Sequence, residues 1–139
     1  LSKARSVEEA IHYTEKYNFF YDVAPLHYMV ADASGHSAVI EFVDGRMVVT
    51  KTDKKYLVVT NFTLYGNPTK TGFGKDRYEN IQKTLKKQGG IISEEDALEL
   101  LKSNVIPGDE QWSAVYNLTK KTLSVTFSGD YENVHRFKL

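Results

Sequence analysis

The sequence predicts an α+β fold in which helices cover antiparallel sheet. Two observations predict this class. Short runs of β-branched and apolar residues are joined by tight turns, which favours antiparallel pairing. These runs are grouped and separated by amphipathic segments, in the order helix, four strands, two helices, and two or three strands. Because the 139 residues hold no repeat, low-complexity tract or linker, we expect a single unit over 1–139.

The first helix is predicted from a capping box. Ser6 occupies the N-cap position and Glu9 follows three residues later, ahead of apolar residues at helical spacing. The helix is expected to end near Asn18. Four strands are then predicted, over residues 26–31, 38–43, 47–50 and 56–60.

Turns and apolar content predict how these strands are placed. Asp44-Gly45 separates the second strand from the third and predicts a type I′ hairpin turn. The run 26–31 is apolar almost throughout, which is typical of a strand covered on both faces. The apolar residues of 56–60 predict a central position in the sheet rather than an edge.

The second half of the chain predicts two helices and a further group of strands. Residues 66–74, with three glycines and a proline, predict a loop. A second capping box, Asp76 to Glu79, opens a helix that Gly89-Gly90 ends, and Ser93 opens the next helix. The last strands are predicted over 112–116, 123–127 and, at an edge, 134–137.

Composition excludes several classes of site. Acidic and basic residues balance at 18 each, which argues against nucleic acid or an anionic membrane as partner. The chain has no cysteine, so disulfides and thiolate sites are excluded, and no histidine pair has the spacing of a helical metal site. No apolar run reaches the ~20 residues of a membrane-spanning helix, and no signal peptide is visible. We therefore expect a cytoplasmic protein without metal or cofactor.

Three segments, in order, resemble the linear-amide hydrolase family, which includes choloylglycine (bile salt) hydrolases, penicillin V acylases, acid ceramidase-like amidases and acyl-CoA:penicillin acyltransferases. They are residues 6–11, residues 26–41 and residues 59–62, with weaker similarity at 76–78 and 111–117. The resemblance implies an αββα sandwich of the N-terminal-nucleophile type. It also implies that the chain is the C-terminal portion only, because the family's processed N-terminal cysteine has no counterpart here.

Asn61 and Arg77 are the catalytic candidates that this resemblance implies. A side-chain amide N–H is a neutral donor suited to an oxyanion, and the family's Asn in a Thr-Asn strand end has that role. The alternative is that Asn61 simply ends a strand. Arg77 falls in the first turn of a predicted helix, where a cation opposes the helix dipole, so it is expected to have another use, such as pairing with a carboxylate or polarising the site. The alternative is a solvated helix Arg.

Other polar and aromatic residues are interpreted as structural. Asp32 is expected to cap a turn, and Glu41 to be tied to backbone or to a basic side chain. His27 is expected to be a satisfied core histidine, and Trp112 a core residue. An aromatic cluster is expected to pack in the core, with an acyl-pocket wall as the alternative; it comprises Tyr17, Phe19, Phe20 and Tyr21.

The function that the resemblance implies is hydrolysis of linear amide bonds in acyl-amides such as bile salts or penicillins. The expected partners are that substrate and the missing N-terminal portion, and the isolated chain is expected to be inactive and to form a homo-oligomer. Two alternatives stay open. One is an acyl-CoA-dependent acyltransferase of the same fold, in which an amine rather than water takes the acyl group. The other is a non-enzymatic α+β binding or structural domain.

Overall fold

The described part of the fold contains two antiparallel three-stranded sheets and three helices. A computed structural model describes residues 3–17, 27–108 and 111–139. Within these residues the helices are α1 (Val7–Glu15), α2 (Lys75–Lys87) and α3 (Glu94–Lys102). The strands are β1 (His27–Ala31), β2 (Ser37–Val43), β3 (Arg46–Lys51), β4 (Trp112–Asn117), β5 (Thr122–Phe127) and β6 (His135–Lys138). The predicted α+β class with antiparallel sheets is therefore confirmed.

The chain divides into two compact units, Leu1–Glu79 and Asn80–Leu139. The first unit holds the sheet β1-β2-β3, with β2 in the centre, and the second holds the sheet β4-β5-β6. Asp44 and Gly45 both have positive φ, 50° and 72°, as the predicted type I′ turn between β2 and β3 requires. Each sheet is a meander in which neighbours in sequence pair directly.

The central strand β2, rather than the first strand, is covered on both faces. Ala38 and Ile40 face Val7 and Ile11 of α1 in one hydrophobic cluster. Val39, pointing the other way, packs with Phe62 and Leu64 in a second cluster. β1 lies at the edge, and its Met29 is 46 % exposed. The continuous apolar run in β1 was therefore a misleading sign of two-sided burial.

The predicted fourth strand over 56–60 is wrong. The structure assigns no strand there, and β3 is the last strand of the first sheet among the described residues. Val58 is nevertheless 5 % exposed, and Leu57 and Val59 pack against the cluster of Val39 and Phe62. The apolar residues of a segment predict that it is buried, but they do not predict that its backbone pairs with a neighbouring strand. In this segment burial occurs without such pairing.

The start of α1 agrees with its predicted N-cap. Ser6 Oγ accepts a hydrogen bond from Glu9 N at 3.2 Å. The reciprocal half of the box is displaced by one residue, because Glu9 Oε2 accepts from Arg5 N at 2.8 Å. The helix ends at Glu15, and Asn18 lies outside the described residues.

The helix α2 begins earlier than its predicted capping box. Gly74 precedes the helix, and its carbonyl accepts from Tyr78 N at 2.9 Å. Asp76 is therefore inside the first turn and is not the N-cap. The predicted glycine stop is confirmed, because Gly90 N returns to Leu85 O at 2.8 Å with Gly89 at φ 67°.

In the second unit, α3 begins as predicted and packs on β4. Ser93 Oγ accepts from Asp96 N at 3.0 Å, and Leu98 is buried. β6 lies at an edge of the second sheet, as predicted. Trp112 is 66 % exposed, so its predicted core position is wrong. It lies at the first position of β4, opposite Phe127, where sheet pairing alone does not cover an indole.

Several predictions concern residues that lie outside the part of the chain that the structure describes. Phe19, Phe20 and Tyr21 of the predicted aromatic cluster, and Leu26 of the predicted first strand, lie outside the described residues. Tyr17, the described member of that cluster, is 66 % exposed and not in the core. None of the described helices is both long and apolar enough to cross a membrane.

Candidate active site

Asn61 and Arg77 lie side by side in the first unit. Arg77 Nη2 donates a hydrogen bond to Asn61 Oδ1 at 2.6 Å. Asn61 is exposed and Arg77 is half-buried. The two candidates are 16 residues apart in sequence, so the fold and not the local chain brings them together.

This contact orients the amide of Asn61. A guanidinium has donors and no acceptor, so the amide atom that faces it is the oxygen. The Nδ2 group of Asn61 then points away from Arg77, and none of the described residues accepts a hydrogen bond from it. The arrangement therefore presents an N–H donor from an amide whose own oxygen is held by a cation. Arg77 pairs with this amide rather than with a carboxylate.

Gly74 leaves the space that Arg77 occupies. Gly74 has φ 82°, and a Cβ placed on it would lie 2.6 Å from Arg77 Nη2 and 3.2 Å from Thr60 Cβ. On its other side, Arg77 Cζ lies 5.5 Å from the centroid of the Phe73 ring, within range of a cation–π contact. The guanidinium is thus confined between the glycine backbone and an aromatic ring.

Asn61 is held by the residue that follows it. Phe62 is 7 % exposed and meets the Tyr78 ring edge-on, with 5.2 Å between centroids. A Cβ on Gly72 would lie 2.5 Å from Phe62 Cβ, so Gly72 allows this close packing. Asn61 does not end a strand, because the predicted strand 56–60 is absent. Its position depends on the burial of Phe62 instead.

Glu41 and His27 lie on paired strands beside this segment. Glu41 is 1 % exposed, and its Oε1 and Oε2 accept from Leu64 N at 2.7 Å and from Tyr65 N at 2.9 Å. His27 Nδ1 lies 3.7 Å from Glu41 Oε1. Glu41 is therefore tied to backbone and lies next to a basic side chain, as predicted, whereas His27 is half-buried and is not the core histidine that was expected.

Asp32 joins the β1–β2 turn to the start of α1. Its Oδ1 accepts from Ser34 Oγ at 2.5 Å and from Ser34 N at 3.0 Å, and its Oδ2 accepts from Val7 N at 2.9 Å. The hydrogen bonds from the Ser34 side chain and from Val7 lower the pKa of Asp32 to about 2. Asp32 caps the turn, as predicted, and also satisfies an N-terminal N–H of α1.

Sequence reasoning did not single out the residues that shape this site. Gly72, Phe73 and Gly74 were assigned to a loop without a role, and so was Lys70, whose Nζ donates to Leu64 O at 2.6 Å. The sequence feature that could have indicated the space beside Arg77 was Gly74, three residues before it. Among the described residues, no group of three or more His, Asp or Glu side chains could hold a metal ion.

Comparison with known proteins gives one finding. A model of the family described as linear amide C–N hydrolases, choloylglycine hydrolase family, matches residues 1–98 of the 139. The match includes Asn61 and Arg77 and lies at the N-terminal side of this chain, so it does not support the expectation of a C-terminal portion only. Comparison with curated proteins and with solved structures gave no match.

Proposed function

Because the chain belongs to the choloylglycine hydrolase family of linear amide C–N hydrolases, we propose that it stabilises the oxyanion during hydrolysis of an acyl-amide. The observation that carries this proposal is the hydrogen bond from Arg77 Nη2 to Asn61 Oδ1 at 2.6 Å. Attack on an amide carbonyl creates a tetrahedral intermediate whose oxygen becomes negative. Nδ2 of Asn61 is the donor that we assign to this oxygen.

Arg77 acts on the donor in two ways. Its hydrogen bond fixes the rotation of the Asn61 amide, so no reorientation is needed when charge develops on the substrate. Its positive charge lies next to the amide oxygen and makes the opposite N–H group a better donor, because hydrogen bonds in a chain polarise one another. Arg77 is therefore a positioning residue and Asn61 the catalytic residue.

The nucleophile in this proposal comes from outside these 139 residues. In this family the side chain of the first residue of the processed enzyme attacks the amide carbonyl, and the α-amine of the same residue takes the proton. No cysteine occurs in this chain. The proposed division of labour assigns attack to a preceding portion of the enzyme and oxyanion stabilisation to this chain. The 139-residue chain alone is then expected to turn over no acyl-amide.

The proposed substrates are acyl-amides such as bile salts or penicillins, which the resemblance implies. Transfer of the acyl group to an amine instead of water uses the same oxyanion donor. Product analysis with and without an added amine acceptor separates hydrolysis from acyl transfer. A non-enzymatic domain needs no oriented donor, so that alternative predicts no effect of either side chain on any turnover.

The test is steady-state kinetics of the complete enzyme with an acyl-amide substrate. Asn61→Ala is expected to lower kcat by about 10²–10³, or ~2.7–4 kcal/mol, with little change in KM, because the donor acts mainly in the transition state. Asn133→Ala removes an exposed asparagine in a turn of the other unit and serves as the matched control. Full kcat in Asn61→Ala would show that the donor assignment is wrong.

A further inference from the structure

Among the described residues of the first unit, Glu41 has the most buried carboxylate. Its side chain is 1 % exposed, in the centre of β2 between residues of the apolar core. Moving a charged group from water into the protein interior costs on the order of several kcal/mol, unless hydrogen bonds replace the lost contacts with water. A residue of the same size without charge would avoid that cost. The position therefore calls for a reason why a carboxylate is present.

The contacts of Glu41 supply that reason. Its two oxygens accept from the backbone N–H groups of two consecutive residues, Leu64 at 2.7 Å and Tyr65 at 2.9 Å. An ionised carboxylate only accepts, with both oxygens, so it matches two adjacent donors. A glutamine would place an NH₂ group against one of the two N–H groups. The pair of contacts thus selects a carboxylate and attaches a distant loop to the centre of the sheet.

The attached loop is the one that carries Asn61. Leu64 lies three residues after Asn61, and its carbonyl accepts from Lys70 Nζ at 2.6 Å while its N–H is held by Glu41. Phe62 and Leu64 are each 7 % exposed, so alternate residues of this short segment are buried and Asn61 stays exposed. Rotation or sliding of the segment would break the Glu41 contacts and also unpack Phe62.

We propose that Glu41 is a positioning residue for Asn61: its buried carboxylate fixes the peptide groups of Leu64 and Tyr65 and thereby the direction of the Asn61 amide. This role rests on the proposed function, because it acts through the oxyanion donor. Glu41 touches no reacting atom. Its contribution is the rigidity of the segment on which the donor stands, which matters because misplacement of about 1 Å can reduce a rate by about 10²-fold.

The first experiment measures amide hydrogen exchange by NMR in the 139-residue chain. In Glu41→Gln, the amides of Leu64 and Tyr65 are expected to exchange at least about tenfold faster than in the wild type, because charge-assisted hydrogen bonds are lost. Glu8→Gln is the matched control, since it removes one charge from an exposed side chain that pairs with Lys51 in the same unit. Unchanged exchange at both amides would overturn the proposal.

Two further variants keep the test decisive. If Glu41→Gln does not fold, Glu41→Asp keeps the charge and shortens the side chain by one methylene, and is expected to show the same local loss of protection. In the complete enzyme, Glu41→Gln is expected to lower kcat about tenfold or more with little change in KM, and to have almost no further effect once Asn61 is replaced by Ala.

The kinetic outcomes separate this role from the proposed function. If Asn61→Ala keeps full kcat, the proposed function fails and the positioning role fails with it. If Asn61→Ala is slow but Glu41→Gln is fully active, only the positioning role is overturned. If the effects of Glu41→Gln and Asn61→Ala multiply, Glu41 acts independently of the donor and the proposal is likewise wrong.

Discussion

Two carboxylates of the first unit, Asp32 and Glu41, each accept hydrogen bonds from backbone N–H groups of a segment that is distant in sequence. Asp32 holds its own turn and Val7 of α1, and Glu41 holds Leu64 and Tyr65. Glu41 satisfies the buried N–H of Leu64, and Asp32 satisfies the first N–H of α1, which has no partner within the helix. In both, one side chain connects elements that no ladder hydrogen bond joins. Removing either carboxylate is therefore expected to affect the segment attached to it.

Because the pKa of Asp32 differs between the folded and the unfolded chain, the stability of the first unit depends on pH. Its pKa falls from 3.8 to about 2 in the folded chain, so the unfolded chain takes up the proton first as the pH falls. The stabilisation is present above the unfolded pKa and is lost as the pH falls through the folded pKa. We expect Asp32→Asn to be less stable than the wild type near pH 6 and the two to converge as the pH approaches about 2.

Urea unfolding of both proteins across this pH range measures the difference. A difference in the free energy of unfolding that stays constant from about pH 6 to about pH 2 would contradict the role of the ionised carboxylate. Ser34→Ala removes the side-chain hydrogen bond that lowers this pKa most and is expected to give part of the same pH dependence.

Residue types alone predicted part of the candidate site. The structural roles of Asp32 and Glu41 were predictable, because a carboxylate among apolar residues needs hydrogen-bond donors. The neighbourhood of Asn61 and Arg77 could be expected only through family resemblance, since nothing in a 16-residue separation indicates contact. Their catalytic roles stay predictions.

At the scale of elements, the segment between β3 and α2 has little regular structure and many specific contacts. Residues 56–60 bury apolar side chains without forming a strand. Asn67 Oδ1 accepts from Thr71 N at 3.1 Å and its Nδ2 donates to Thr71 O at 2.7 Å, which closes the loop on itself. This segment connects to α2 through Gly72 and Gly74, so the start of the helix and the candidate site share the same backbone.

Replacement of Gly74 by a larger residue is expected to destabilise the first unit. In Gly74→Ala, the added Cβ meets the Arg77 guanidinium, and the left-handed φ of 82° is unfavourable for alanine. We expect a loss of about 2–5 kcal/mol in the free energy of unfolding, the sum of about 1–2 for φ and about 1–3 for overpacking. Urea unfolding of the 139-residue chain measures it.

Gly66 provides the matched control for this substitution. It has a positive φ of 66°, and a Cβ there would meet nothing within 4 Å. Gly66→Ala is therefore expected to lose only the conformational part, about 1–2 kcal/mol. Equal losses in the two variants would show that Arg77 moves aside without cost and that Gly74 does not confine it.

Most helix starts and the tight turn were predicted from sequence more accurately than the segment 56–60, which was expected to be a fourth strand. Ser6, Ser93 and Asp44-Gly45 act through hydrogen bonds or dihedral angles within a few residues, so the local sequence contains all the information. The segment 56–60 depended on which partner strand was available, and that is decided by the whole sheet. The start of α2 was predicted too late: the helix begins at Lys75, after Gly74, which leaves space for the Arg77 guanidinium.

At the scale of the whole molecule, one face of the second sheet carries an aromatic face of four exposed side chains, in rows on either side of the buried Val125. Its members lie on one side of the sheet, since Trp112 is opposite Phe127 and Leu123 is opposite both Tyr116 and Phe137. The exposed fractions are 66 % for Trp112, 55 % for Tyr116, 54 % for Phe127 and 53 % for Phe137. Clustered exposed aromatic side chains are typical of interaction surfaces. The expectation of a single unit over 1–139 and of a homo-oligomer stays a prediction.

Self-association through this aromatic face can be tested with the only tryptophan of the chain, Trp112. We expect the 139-residue chain to sediment as a dimer at high concentration, with Trp112 emission shifting to shorter wavelength as the dimer forms. Phe137→Lys places a charge on this face and is expected to give a monomer. Ile91→Lys, at a residue that is 71 % exposed elsewhere in the same unit, is the control. A wild-type chain that stays monomeric with constant emission would contradict the prediction.

The buried carboxylate of Glu41 also sets an order of folding events. The pairs β1–β2 and β2–β3 join neighbours in sequence through short turns, so the first sheet can form quickly from local contacts. Glu41 reaches its partners only across 23 and 24 residues, and before Leu64 and Tyr65 arrive its charge stays in water. We therefore expect docking of the loop and loss of that water to occur together, after the sheet has formed. The segment that carries Asn61 would then acquire its native geometry later than the sheet that holds Glu41.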